Sequence, residues 1–154
     1  MLVRRADAAD VDDLARLRIA WHGDAAAPDF LASFRDWFQR EESSRWWWIA
    51  FDEGRSIGMV NLKVFDRMPV PDGTARRWGY LANLFVERDH RGAGVGGALV
   101  GAVVEHARAE GLVRVVLSPS ELSIPLYLRH GFGTASGLLL LPLADGAQPA
   151  RQDT

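Results

Sequence analysis

The stretch Gly92-Ala93-Gly94-Val95-Gly96-Gly97 constrains this 154-residue chain more than any other, because of what flanks it. Upstream, Leu81, Leu84, Phe85 and Val86 form an apolar segment of strand character, followed by five polar residues, Glu87 to Arg91. Downstream, apolar residues recur at Val95, Leu99, Val103 and Ala107, with Val100 and Val104 beside them, the spacing of a helix that buries one face. The run therefore opens a helix. The first turn of a helix leaves about four backbone N–H groups without partners, and the macrodipole adds positive charge at that end. Four glycines in six residues leave those amides bare to a bulky anion such as a pyrophosphate. One glycine would serve a tight turn; four, framed by Arg91 and an amphipathic helix, point to an anion site.

Composition bounds what else the chain can be. Hydrophobic residues at 48% and charged residues at 25% describe one ordinary globular domain, large enough to bury a core. A net charge of −2 with scattered Lys and Arg gives no basic stripe, so nucleic acid is not an expected partner. The absence of cysteine removes disulfides, thiolate metal sites and cysteine nucleophiles, and no metal is expected. The N-terminus lacks a signal-like apolar stretch and no segment approaches the length of a membrane span, so the expectation is a soluble, cytoplasmic protein with no membrane partner.

Leu2 to Arg5 reads as a short strand ended by Asp7, which can cap a helix that buries Leu14, Leu17 and Trp21, with Asp10 supporting its first turn. A polar break from His22 to Asp29 leads to a second helix carrying Phe30, Phe34, Trp37 and Phe38 on one stripe. Trp46 to Phe51 and Ser56 to Phe65 read as strands joined by a hairpin at Asp52-Glu53-Gly54-Arg55. Three successive tryptophans point to alternate faces, so both faces of that strand need cover. Asp66 to Arg77 is a long loop. After the glycine run and its helix, Gly111 is a stop, Val113 to Leu117 alternates as a strand, and Ser123 to Gly131 reads as a short helix with Pro125 in its first turn. Gly137 to Leu143 reads as a last strand, and 144–154 has the composition of a disordered tail after a single domain at 1–143.

Two fingerprints fit the glycines. Gly92-x-Gly94-x-x-Gly97 satisfies the dinucleotide pattern, but five polar residues separate it from its strand, and the next strand ends in Ser118-Pro119 where an acidic residue is wanted. Arg91-x-x-Gly94-x-Gly96 instead resembles the acetyl-CoA pyrophosphate loop of the GNAT superfamily of N-acetyltransferases, as do the strand before it and the turn Glu87 to Gly92. Leu126-Tyr127-x-x-x-Gly131-Phe132, about thirty residues on, resembles a second segment of that family.

The resemblance implies an α/β (α+β) GNAT-like fold with a mixed central sheet of six to seven strands flanked by about four helices. It implies an acyltransferase that moves an acetyl group from acetyl-CoA to a primary amine in a ternary complex. The backbone of Leu84, Phe85 and Val86 would pair with the pantetheine. The amides of Gly92, Ala93, Gly94, Val95, Gly96 and Gly97 would hold the pyrophosphate, with Arg91 adding charge or positioning the loop. Tyr127 would protonate the leaving thiolate, against the plain alternative of a core tyrosine with its hydroxyl at the rim. Ser120 stands where many members have asparagine, and its hydroxyl would bond the pantetheine arm. Trp21, His22 and Asp24 would contact the acceptor, and Asn83 would orient it or a water. No base is assigned: Val115 occupies the place where some members carry glutamate, and Glu87, His90 and Glu121 read as surface residues. A non-catalytic acyl-CoA sensor of the same fold and a small dinucleotide-dependent oxidoreductase are the competing readings. The exposed final strand leaves a homodimer open, and the acceptor amine is not specified.

Overall fold

The computed structural model describes residues 1–23, 25–74 and 76–141. Along the chain run β1 (Leu2–Arg5), α1 (Val11–His22), α2 (Phe30–Glu41), β2 (Arg45–Asp52), β3 (Arg55–Asp66), β4 (Arg77–Val86), α3 (Val95–Ala109), β5 (Val115–Val116) and α4 (Ile124–Arg129). The strands form one sheet in the order β1-β2-β3-β4-β5, antiparallel except for the parallel pair of β4 and β5. β4, α3 and β5 make one parallel βαβ unit at the edge of an otherwise antiparallel sheet, not the doubly wound, mostly parallel frame of a dinucleotide-binding fold.

Local chemistry accounts for the boundaries. Asp7 accepts from the Ala9 amide at 2.8 Å and Asp10 from the Asp7 amide at 2.9 Å, a reciprocal cap on the short 3-10 turn that feeds α1. Glu53 and Gly54, with φ of 46° and 81°, close the β2–β3 hairpin in the left-handed conformation such two-residue turns demand. The three tryptophans of β2 alternate as expected. Trp47 packs with Phe34 and Phe38 under α1 and α2, whereas Trp46 and Trp48 meet His106 of α3 on the opposite face, at ring separations of 4.9 and 5.4 Å. Two cores result, one on each side of the sheet.

The strand that separates these cores is irregular where it matters. Met59 pairs with Phe85 but Asn61 with Ala82, so two residues of β4, Asn83 and Leu84, oppose the single Val60. Asn83 takes the extra place with φ of 57°, a conformation asparagine tolerates better than most side chains. The bulge reverses the parity of the strand. Leu81 and Leu84, three apart, both enter the core under α3, and Phe85 enters the core under α1.

The sheet is smaller than the expected six to seven strands: the described residues hold five, with four α-helices. The strand expected over Gly137–Leu143 does not form as far as Leu141; Gly137 lies in a turn and Leu138 to Leu141 are exposed without strand partners. A run of four leucines has no alternation to define an inward face, and β5, only two residues long, offers no ladder for it to join. Pro142, Leu143 and the expected tail at 144–154 lie outside the described residues. The strand expected over Val113–Leu117 narrows to Val115–Val116, because its pairing with β4 stops at Gly79 and Tyr80. From Leu81 onward β4 is paired on one edge only. No helix among the described residues is long and apolar enough to cross a membrane.

The bulge is testable by stability. Asn83→Gly should keep the urea-unfolding free energy within about 1 kcal/mol of the parent, because glycine accepts the positive φ. Asn83→Val should lose about 1–3 kcal/mol. Equal effects of the two substitutions would contradict the left-handed conformation.

Candidate active site

Residues 91 to 94 turn into α3, whose first intrahelical bond runs from the Ala98 amide to the Gly94 carbonyl at 3.0 Å. No backbone acceptor among the described residues takes the amides of Gly92 through Gly97. Gly94, at the helix cap, and Gly92 have φ of 84° and 77°, so their lack of a side chain is a requirement of the turn. At Gly96 and Gly97 no such requirement holds: a Cβ would stand 3.5 Å from Leu126 and from His130, respectively, in ordinary contact with the α4 side of the cleft. Val95, Leu99, Val100, Val103 and Ala107 bury the inner face of the helix and fix where its N-terminus points.

The amides open on a cleft of about 360 Å³. Its walls are the end of β4 (Leu84, Val86), the turn and helix start (Arg91, Gly92, Gly94 to Gly97), and α4 with the turn before it (Ser123, Leu126, Arg129). Arg91 Nε donates to the Val86 carbonyl at 3.0 Å, which ties the turn to the end of the strand and sets the guanidinium at the rim. Arg129 supplies a second cation that the sequence reading missed; its position one helical turn after Leu126 on α4 was the available signal. His90 also lines the cleft, with Nδ1 buried and unpartnered among the described residues.

The other expected site residues divide between the cleft and its surroundings. Phe85 does not line it; its ring is buried on the opposite face and stacks on Trp21 at 5.9 Å. Ala93 is exposed in the turn. Ser120 lies one step back: its hydroxyl donates to Ser123 Oγ at 3.0 Å, and Ser123 is the serine at the cleft wall. Tyr127 is 3% exposed, sits edge-on to Phe132 at 5.6 Å, and follows Leu126 of the wall without itself lining the cleft. Burial, with Tyr80 adding to it, pushes its phenol up to about 12, so it keeps its proton at any physiological pH.

Across β4 lies a second cavity of about 320 Å³, on the side of α1 and α2. Asn83 reaches it through the bulge, and Arg18, Phe30, Trp37, Trp47 and Met59 complete most of its wall. Trp21 is beside it as the platform under Arg18, 4.7 Å from ring centre to guanidinium carbon. Asp24 lies outside the described residues, and His22 lines an adjoining cavity of about 210 Å³ that shares Arg18 and Phe30 with this one. The two larger cavities thus meet opposite faces of one strand, at the end where its second edge is unpaired.

Glu87, which follows the end of β4, is held fast. It accepts from Arg16 Nη1 at 2.6 Å and faces Arg55 at 3.1 Å, and its own amide donates to the Ile57 carbonyl at 2.9 Å. Burial raises its pKa, but the hydrogen bond and charge of Arg16 with the charge of Arg55 outweigh burial and leave the carboxyl below its ordinary value. A carboxylate so paired braces β4 and is a poor proton acceptor.

The profile of the acetyltransferase (GNAT) family matches residues 11–132. Over 79 residues the chain is 34% identical to a glucosamine 6-phosphate N-acetyltransferase of Trypanosoma brucei brucei, 51% of this chain and 52% of the relative. Over 89 residues it is 35% identical to human N-acetyltransferase 8, 55% of this chain and 37% of the relative. The chain thus spans about half the length of the first relative and less of the second. Among solved structures it resembles a protein of Clostridium acetobutylicum, described as a predicted acetyltransferase and solved with acetyl-CoA. That match has a TM-score of 0.73 at 22% identity, over 96% of this chain and 99% of the other, and shows the common fold.

At pH 7, Glu87→Gln should lower the unfolding free energy by about 1–3 kcal/mol. The folded carboxyl titrates below its unfolded value of about 4.3. Its contribution is therefore complete above that value and vanishes as pH falls through the folded one. Denaturation at pH 7 and at pH 3 should show the gap between variant and parent closing; a constant gap would mean that Glu87 is not held as a carboxylate.

Proposed function

Since the chain belongs to the acetyltransferase (GNAT) family, we propose that it transfers an acetyl group from acetyl-CoA to a primary amine by direct attack in a ternary complex, with residues 1–143 as one catalytic unit. The observation that carries the reading is the row of unpartnered amides from Gly92 to Gly97 facing a cleft with two arginines at its wall. Donors without acceptors, helix polarity and two cations suit a diphosphate in charge, in hydrogen bonding and in bulk.

The remaining residues fall into roles around that anchor. The free edge of β4 from Leu81 to Val86 can accept an extended ligand as an added strand, and Leu84 and Val86 supply the apolar wall beside it. Ser123, with Ser120 behind it, offers a hydroxyl to the same arm. A backbone N–H at Phe85 or Val86 can polarise the thioester carbonyl, a contribution that can reach about 3 kcal/mol. The acceptor approaches from the cavity across β4, where Asn83 and the aromatic wall hold it.

In the reaction the amine nitrogen forms a bond to the carbonyl carbon as the carbon–sulfur bond breaks, and the sulfur leaves with the electron pair. The ammonium loses its proton to water before attack, since Glu87 is committed to its arginines. Tyr127 donates toward the departing sulfur. With the phenol at about 12 and an ordinary thiol at about 8.5, complete transfer would be uphill by roughly 5 kcal/mol. Tyr127 therefore works chiefly as a hydrogen-bond donor while charge builds on sulfur, and the proton released by the amine completes the thiol. The trypanosomal relative is named for a phosphorylated amino sugar, which places that compound among the acceptors to be tried.

The test pairs binding with turnover. Gly94→Val forces a β-branched side chain into a positive φ and should weaken CoA in calorimetry by at least about tenfold. Tyr127→Phe should keep CoA affinity within about threefold and lower kcat by about 10²-fold or more. Because its phenol stays protonated, the parent's kcat/KM should rise with pH as the acceptor amine deprotonates, with no decline assignable to Tyr127 below pH 10. Full activity of Tyr127→Phe across that range would remove it from the mechanism; unchanged CoA binding by Gly94→Val would remove the anchor.

A further inference from the structure

The cavity assigned above to the acceptor has a one-sided electrostatic character. Arg18 lines both it and the adjoining 210 Å³ cavity, and no carboxylate among the described residues pairs with it. The other arginines of α1 and α2 that face a neighbouring element are engaged: Arg16 with Glu87, Arg35 with Asp12. Arg18 instead lies over the Trp21 ring, its Cζ 4.7 Å from the ring centre, and Trp21 is braced in turn by its stack on Phe85. An aromatic ring under a guanidinium competes for none of its N–H donors, which can still grip a planar or tetrahedral anion.

Around that edge the described wall contributes donors and apolar surface. Asn83 and Ser33 are the remaining polar side chains of the larger cavity, Phe30, Phe34, Trp37, Trp47 and Met59 are its apolar lining, and it contains no Asp or Glu. A polycation such as an aminoglycoside or polyamine would meet a positive charge there that no carboxylate of the described wall offsets. An amine whose carbon skeleton also bears an anion would meet a partner for the anion and an apolar bed for the rest.

We propose that Arg18 is the anion-recognising residue of the acceptor site, and that the acceptor is a primary amine carrying a carboxylate or phosphate on an apolar body. The proposal rests on the acetyl-transfer reading for the identity of the cavity, and a binding assay separates the two. Matched pairs distinguish the anions: phenylalanine against phenylalaninamide for the carboxylate, phosphoethanolamine against ethanolamine for the phosphate. N-acetylphenylalanine against N-acetylphenylalaninamide, followed by quenching of tryptophan fluorescence, reports recognition without turnover.

In at least one pair the anionic member should be preferred by about tenfold or more in kcat/KM, and N-acetylphenylalanine or phosphoethanolamine should show the same preference in binding. The ratio should collapse to within about twofold in Arg18→Gln and be partly restored in Arg18→Lys, with circular dichroism and thermal unfolding confirming that both variants fold. Equal use of neutral and anionic members by the parent, or a preference that survives in Arg18→Gln, overturns the proposal. An Arg18-dependent binding preference without CoA release would leave the anion site standing and sink the transferase reading. CoA release from neutral amines regardless of Arg18 would do the opposite.

Discussion

Six successive backbone donors at the entrance of α3 lack backbone acceptors among the described residues, where a helix start ordinarily leaves about four, and the surrounding packing holds them in one place. Gly92 to Gly94 are exposed, and the direction in which these amides point is set by the packing beneath and beside them. Val95 and Leu99 anchor the first turns of α3 in the core beneath it. Gly58 on β3 has no side chain where one would press on Leu99 and Val95 at 3.2 and 3.4 Å. Arg91 ties the turn back to the last carbonyl of β4, and Glu87 is clamped by two arginines from other elements.

The same strand also borders both cavities. β5 leaves β4 after Tyr80, so the edge from Leu81 onward is open, and the bulge at Asn83 sends neighbouring residues to opposite faces. Leu84 then walls one compartment, Asn83 reaches the other, and Phe85 supports the Trp21 platform under Arg18. A regular strand would have kept Leu81 and Leu84 on different faces and closed this arrangement. The distance between the two chemistries is thereby reduced to the thickness of a sheet.

What could be read from the sequence followed from how local the signals are. The α3 periodicity, the Asp7 cap, the Glu53-Gly54 hairpin and the alternation of three tryptophans depend on near neighbours, and each stands in the structure as expected. The bulge was hidden, because Leu-Ala-Asn-Leu-Phe-Val carries no glycine or proline to mark it and the residue it is counted against, Val60, lies on the neighbouring strand. Leu138 to Leu141 read as a strand on composition alone and lacked a partner. Of the site, the glycine turn and its flanking strand were legible from their residues, with Tyr127 marked only by its likeness to a family segment. Arg18 and Arg129 were not, since an arginine on a helix is usually a solvated one and only the fold decides which faces a cavity.

The central claim is that the unpartnered amides at the start of α3 receive the diphosphate of CoA. Amide chemical-shift mapping of the ¹⁵N-labelled protein during titration with CoA addresses those donors directly. The account predicts that the largest downfield shifts fall on Gly92, Gly94, Gly96 and Gly97 and that they saturate together with calorimetric binding. Shifts confined to other regions, or saturable binding that leaves these four resonances unmoved, would contradict it.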